Sequence, residues 1–368
     1  MDLYEQIAAL ATDLGFADFG CAKADALSYS ETKAYNIAAS EGLFGNMEYL
    51  LRNRDKREDP TLLLPGAKSV LVFLIPFSLY GGGNEQNRQE VDKRARGEGR
   101  VRISEFALGN DYHTVIKKRL NKIANFIDRC QIEREDIKVE NNAIIQRVLN
   151  PNYVKYKSLC CRVFVDSAPI MERSWALRAG LGFIGKNNFL ISKRCGVKNF
   201  IGVILTTAEL SYNETVANNR IAPDRDICGS CNLCIEACSQ NALFAPRRID
   251  ARKCLSYKTI EAPIEDIPLN RERAKGQELE VPWIFGCDDC MNACPWNRLN
   301  IKGWQEFHTN ADLLRSSSLD AEAALGERAE WWNGLSQEDF DKLFKDSPLR
   351  RAGLEKIKQN IRVCYREH

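Results

Sequence analysis

Eight cysteines between Cys228 and Cys294 constrain this chain more than any other feature. Cys228, Cys231, Cys234 and Cys238 follow one another as C-x-x-C-x-x-C-x-x-x-C, and Cys287-x-x-Cys290-x-x-x-Cys294-Pro295 repeats that run without its first member. Cys254 lies between the two runs and fills the vacancy. Bacterial ferredoxins use this spacing: three close thiolates wrap one iron–sulfur cube while the fourth points to a second cube. Crossing the runs in that way predicts one 4Fe–4S cluster on Cys228, Cys231, Cys234 and Cys294, and another on Cys238, Cys254, Cys287 and Cys290. Ser239 stands where a proline often follows the fourth cysteine, but that proline is not a ligand. Paired structural zinc sites are the competing reading, since C-x-x-C also serves zinc. A third cysteine three residues on is unusual for that metal.

The other six of the fourteen cysteines, at 21, 130, 160, 161, 195 and 364, are scattered. Clustering of this kind points to metal in a reducing compartment rather than to disulfides outside the cell. The first residues are acidic and lack the basic-then-apolar layout of a secretory signal, and the apolar run from Val70 to Phe77 is too short to span a bilayer. A cytoplasmic chain without membrane contact is therefore expected. Net charge is only +2 over 368 residues, so any nucleic-acid surface must be local.

Residues 1–215 read as an α/β (α+β) domain. Leu3, Ile7, Leu10 and Leu14 recur at helical steps until Gly15; a short strand is expected over 16–22 and a helix up to about residue 41. Further strands are expected at 69–77, 143–148, 161–165 and 200–206, with helices at 111–129 and 171–179. Residues 216–300 form the ferredoxin-like two-cluster domain, and 301–368 a helical C-terminal tail. Two clusters alone relay electrons without reacting, so the first domain must use them.

Several stretches identify that use. Arg57-Glu58-Asp59-Pro60, Leu64-Pro65-Gly66-Ala67-Lys68, Ile103-Ser104 through Gly109-Asn110-Asp111-Tyr112-His113, Val165-Asp166-Ser167-Ala168-Pro169, Ala179 through Gly185-Lys186-Asn187, Cys254-Leu255-Ser256-Tyr257 and Gly286 through Cys294-Pro295-Trp296-Asn297 occur in this order. In these the chain resembles the epoxyqueuosine reductases, which complete the modified nucleoside queuosine in tRNA. The resemblance covers most of residues 50–300. It implies a cobalamin beside the two clusters, in a domain similar to those of reductive dehalogenases and cobalamin-processing enzymes. It also implies tRNA carrying epoxyqueuosine as substrate, an external low-potential electron donor and a monomer. The epoxide oxygen is removed with two electrons and two protons, leaving a cyclopentene and water.

The family match implies Asp166 as proton donor; without it, a turn or N-cap aspartate is the simpler reading. Such a donor must hold its proton near neutral pH, and burial against a flat cofactor is expected to raise its pKa. By the same placement Arg57, Ser104, Asp166, Arg173, Lys186, Asn187, Asn188, Leu190 and Ser256 are candidates to contact the cobalamin. Gly180, Gly182 and Gly185 are expected to let backbone approach that ligand. No strand leads directly into these glycines, which excludes a dinucleotide loop. Tyr112 and His113 are candidates to line the substrate pocket, with helix-start packing as the alternative. Phe106 stands where a tyrosine is expected.

Arg88, Lys93, Arg94, Arg96, Arg100 and Arg102 in one loop, and Arg350, Arg351, Lys356, Lys358, Arg362 and Arg366 in the tail, are candidates for tRNA phosphate contact. Two competing functions remain. One is a corrinoid reductase of a small molecule, which in the dehalogenases goes with a twin-arginine signal not seen here. The other is a non-catalytic two-cluster electron carrier, which leaves the first domain without a task.

Overall fold

The computed structural model describes residues 2–81, 100–136, 160–210, 225–264, 282–315 and 325–365. The strand expected at 143–148, the basic residues Arg88, Lys93, Arg94 and Arg96, and Arg366 lie outside them. Helix α1 (Leu3–Asp13) begins with a capping box between Asp2 and Glu5, which satisfies backbone N–H groups that the first turn leaves without partners. It stops where Gly15 takes φ +82°. Strand β1 (Asp18–Lys23) follows, then α2 (Tyr29–Ser40).

Strand β2 (Ser69–Pro76) is buried along its whole length. Alternate residues of a strand point to opposite faces. On one face Leu71, Phe73 and Ile75 meet Leu3 and Ile7 of α1, and Ile116, Leu120, Ile123 and Ile127 of α3 (Tyr112–Asp136). On the other, Val70, Val72 and Leu74 meet Trp175 and Ala176 of α4 (Glu172–Arg178). Each such side chain, fully buried, contributes about 1.5–3 kcal/mol. With β3 (Arg102–Ile103) lying elsewhere, β4 (Cys161–Phe164) and β7 (Asn199–Thr206) complete a four-stranded sheet in the order β1-β2-β7-β4. Every pairing in it is antiparallel. Helices therefore cover both faces of an antiparallel sheet, a mixed α/β fold.

Between α4 and β7, strands β5 (Phe183–Ile184) and β6 (Leu190–Ile191) form a small hairpin. A Cβ on Gly182 would lie 2.1 Å from the Ile191 carbonyl oxygen, and one on Gly185 would meet the Ile191 and Asn187 side chains. Gly182 and Gly185 let the two strands of the hairpin close upon each other.

The cysteine-rich part carries α5 (Leu233–Glu236), the hairpin β8 (Leu243–Ala245) and β9 (Arg248–Ile249), α6 (Leu255–Ile260), β10 (Trp283–Phe285) and α7 (Asp289–Asn292). β10 pairs in parallel with β3, which brings residues 102–105 beside the second cysteine run. There the Asp288 carboxylate accepts from the Ser104 hydroxyl and from the Glu105 backbone N–H (2.8 Å). Beneath it, fully buried Glu105 pairs with fully buried Lys198 at 2.9 Å and with Arg315 at 3.3 Å. The segment after residue 300 packs into the rest: Trp332, Phe340, Phe344 and helix α8 (Leu354–Tyr365) share a core with Val101, Ile103 and Phe285.

Candidate active site and cluster cavities

Cys228, Cys231, Cys234 and Cys294 converge on one cavity of about 90 Å³, closed by Ile191, Ile227, Trp296, Lys186 and Asn187. The four come from both runs, in the crossed combination that ferredoxin spacing predicts. The remaining four also meet. Cys290 feels Cys254 and Cys238, and Cys254 feels Cys238, while Cys287 adjoins Cys290. Burial, with the neighbouring sulfurs, pushes the Cys234, Cys254 and Cys287 thiols up, Cys294 to about 11 and Cys290 well above its ordinary value. Packing four mutually repelling, desolvated sulfurs together suits thiolates held by a highly charged metal centre. The residues present therefore fit two iron–sulfur clusters.

A second, larger cavity of about 650 Å³ opens beside β10. Phe106, Val115, Ile260 and Phe285 give it apolar walls; Asp111, Tyr112, His113 and Asp166 form one side, and residues 345–351 of the C-terminal segment another. Asp166 follows β4 and takes φ +53°, a left-handed conformation that costs a non-glycine residue about 1–2 kcal/mol. That turn aims its carboxylate at the start of α3. Tyr112 donates its hydroxyl to Asp166 Oδ2 at 2.6 Å, and His113 Nε2 stands 3.6 Å from the same oxygen, an ion-pair distance rather than a hydrogen bond. His113 Nδ1 donates to Asp111 Oδ1 at 2.7 Å. Phe200 stacks on the far face of Tyr112, with ring centres 4.3 Å apart.

The electrostatics reverse one expectation. Burial alone pushes the Asp166 carboxyl up, but His113, Tyr112 and the Arg351 charge outweigh it and hold Asp166 below its ordinary value. Burial pulls His113 down, yet Asp111 and Asp166 push it up to about 9. At neutral pH the stored proton therefore sits on the imidazole, not on the aspartate. Glu172, at the start of α4, is desolvated and repelled by Asp166, which pushes it up to about 7.

Asp166 is 58% exposed by side-chain area and Arg173 is also exposed, yet both are strongly desolvated. Beside Asp166, Glu172 Oε1 is buried without a hydrogen-bond partner. A cavity of this volume with apolar walls and a cluster of polar side chains on one side fits a large organic ligand.

Of the other expected contacts, Arg173 donates to the Asn188 carbonyl, and Arg57 to that of Tyr49 (3.0 Å). Arg350 and Arg351 do line the large cavity, where Arg351 pairs with Glu261 at 2.6 Å. Ser104, locked on Asp288, and Lys186, Asn187, Asn188, Leu190 and Ser256 are not among the residues lining it. Lys186 and Asn187 belong instead to the first cysteine cavity. The basic tail is less available than its sequence suggests. Lys356 is buried on the Ala262 carbonyl, and Lys358 donates to that of Leu335 at 2.8 Å. Arg100 is paired with Glu327 at 2.8 Å, and Arg102 lies over the Trp283 ring. Glu261, Glu172 and Tyr49 were missed by sequence reasoning. None sits in a motif, and only folding brings them near Asp166 and Arg351.

Known proteins share these features. Residues 57–167 match the family described as "Epoxyqueuosine reductase QueG, DUF1730", and residues 227–297 match a "4Fe-4S double cluster binding domain". A curated epoxyqueuosine reductase of Cyclobacterium marinum is 34% identical over 358 residues, covering 97% of this chain and 95% of that protein. One of Leadbetterella byssophila is 32% identical over 361 residues, covering 98% and 97%. In fold, the chain matches an epoxyqueuosine reductase solved with an epoxyqueuosine-modified tRNA stem loop (TM-score 0.66, 20% identity, covering 99% of this chain and 81% of that one). Full-length identity at this level, over both the cavity-bearing and the cysteine-bearing parts, places the chain in the epoxyqueuosine reductase family.

Proposed function

We propose that this chain reduces the epoxide of epoxyqueuosine to the cyclopentene of queuosine at the wobble position of tRNA, the last step of queuosine biosynthesis. The observation that carries this reading is the end-to-end similarity to curated epoxyqueuosine reductases. It is an oxidoreductase holding two 4Fe–4S clusters, with Cys228, Cys231, Cys234 and Cys294 as ligands of one and Cys238, Cys254, Cys287 and Cys290 of the other. Residues 1–215 serve as the catalytic part, 216–300 as the electron relay, and 301–368 as a helical C-terminal segment whose residues 345–351 help line the cavity.

The large recess suits a cobalamin, which Phe106, Val115, Ile260 and Phe285 would meet with apolar side chains; Arg57 and Arg173 lie outside that lining and would reach only its polar edge. When bound, the cobalamin would supply an electron-rich metal centre able to attack or reduce an epoxide carbon. This chain's own residues manage the protons. Asp166 faces the cavity as the acid nearest the departing oxygen, and His113 holds the proton that Asp166 passes on. Asp111 fixes the imidazole and keeps it charged, while Tyr112 orients the Asp166 carboxylate. Two electrons enter singly from an external low-potential donor through the clusters, two protons are consumed, and water leaves.

Arg350 and Arg351, at the cavity mouth, are the basic residues best placed for the tRNA backbone. We take the protein to work as a monomer in the cytoplasm. Among the described residues no helix is long and apolar enough to cross a membrane. The test is anaerobic reconstitution with iron, sulfide and cobalamin, then incubation with reductant and epoxyqueuosine-containing tRNA, nucleoside digestion and mass spectrometry. Loss of one oxygen mass, dependent on cobalamin and on Asp166, is expected. An unchanged nucleoside with all cofactors bound refutes the substrate, and failure to bind cobalamin leaves an electron carrier.

A further inference from the structure

Lys186 stands in the turn between β5 and β6 and is only 8% exposed. Its ammonium donates to the Gly229 carbonyl at 2.6 Å and to Asn232 Oδ1 at 3.0 Å, and lies 4.0 Å from Asp226 Oδ2. Both acceptors belong to the Cys228–Cys234 loop, which supplies three of the four sulfurs around the first cavity, and Lys186 itself lines that cavity. The second cysteine set has a different setting. Asp288 and Asp289 both act on Cys287 and Cys290, with Lys258 as the cation beside Cys254. Asp288 is fully buried, whereas Asp226, the acid near Lys186, is 55% exposed and screened by water.

Reducing a 4Fe–4S cluster adds one negative charge. A buried cation nearby stabilises the reduced form and raises the potential, and buried acids lower it. We propose that Lys186 holds the Cys228–Cys234 loop and raises the reduction potential of the cluster in that cavity, making it the higher-potential member of the pair. Lys186 is thus a positioning and tuning residue toward the cluster rather than a contact to the large recess. The inference rests on the two-cluster reading.

The test is an EPR-monitored titration of the reconstituted protein with dithionite, alongside iron analysis. Wild-type protein should show two distinct midpoints and iron for two clusters; iron for a single cluster overturns the cluster reading itself, before any variant is made. In Lys186→Met with full iron, only the higher midpoint should move, to lower potential, and Lys186→Arg should restore it. Both midpoints unchanged in Lys186→Met, or movement of the lower one alone, overturns the proposal. Should Lys186→Met lose iron, Lys186→Gln decides, because its amide can still donate to the Gly229 carbonyl while carrying no charge. With full iron its higher midpoint should fall, and an unmoved midpoint overturns the proposal.

Discussion

Removing the charge of Asp111 tests the proton store without touching Asp166. Its oxygen, 2.7 Å from His113 Nδ1, is the largest influence raising the imidazole, which stands at about 9 against an ordinary 6.5. Asp111→Asn keeps the shape but leaves only Asp166 to hold the charge, so a fall of about 1.5 units is expected. At pH 8 the protonated fraction then drops from about 90% to about 25%, while at pH 6 it stays near 100% in both proteins. Single-turnover reduction of epoxyqueuosine in tRNA should therefore be roughly fourfold slower in the variant at pH 8 and unchanged at pH 6. In wild type the alkaline limb should lie near pH 9, because the raised imidazole keeps its proton up to that point. Equal pH profiles for Asp111→Asn and wild type, with normal cobalamin and iron content, would refute the role given to His113.

Other expectations follow from the same geometry. Cys294→Ser should abolish the cluster of the first run, not that of its own run; EPR and iron analysis showing loss of the other cluster would contradict the crossed pairing. Lys198→Met removes one of the cations paired with buried Glu105, Arg315 staying at 3.3 Å, and should cost about 1–3 kcal/mol in denaturant unfolding, with Lys198→Met/Glu105→Gln recovering part of it. The folded state raises Glu172 from 4.5 to about 7, so it binds a proton that the unfolded chain releases. Stability of cobalamin-free protein should then fall as pH rises through that window, and Glu172→Gln should remove the slope, a gain on the order of 1–2 kcal/mol at pH 8 after screening. Melting curves at pH 5 and pH 8 check it.

The parts written as local patterns were legible in the sequence. The α1 periodicity ending at Gly15, the continuous apolar run of β2 and the spacing within each cysteine run depend on neighbours a few residues apart. Helix α3 runs beyond the expected end at residue 129, to Asp136, because no glycine or proline breaks it. The acid–base arrangement was only half legible. Asp166 came from its motif, but its charge state depends on Tyr112 and His113 from more than 50 residues away, and they overcome the burial from which a raised pKa was expected. The surroundings of Lys186 were not legible for a related reason. Its motif suggested a ligand, and only the docking of the β5–β6 hairpin on the cysteine loop shows which group it meets. Charge runs misled most, since Lys356 and Lys358 spend their donors on carbonyls of the chain itself.

The parallel pairing of β3 with β10 joins strands about 180 residues apart in sequence, and the Ser104–Asp288 contact rivets them. Contacts of such long range form late, because the loop must close before they gain anything. During synthesis, residues 102–106 wait for the stretch 283–288 to leave the ribosome, and Phe106 has no Phe285 to face until it does. The wall of the large cavity and the second cysteine run thus mature in one event. A chain interrupted before residue 283 can form the sheet but lacks Phe285 and with it one wall of the cavity.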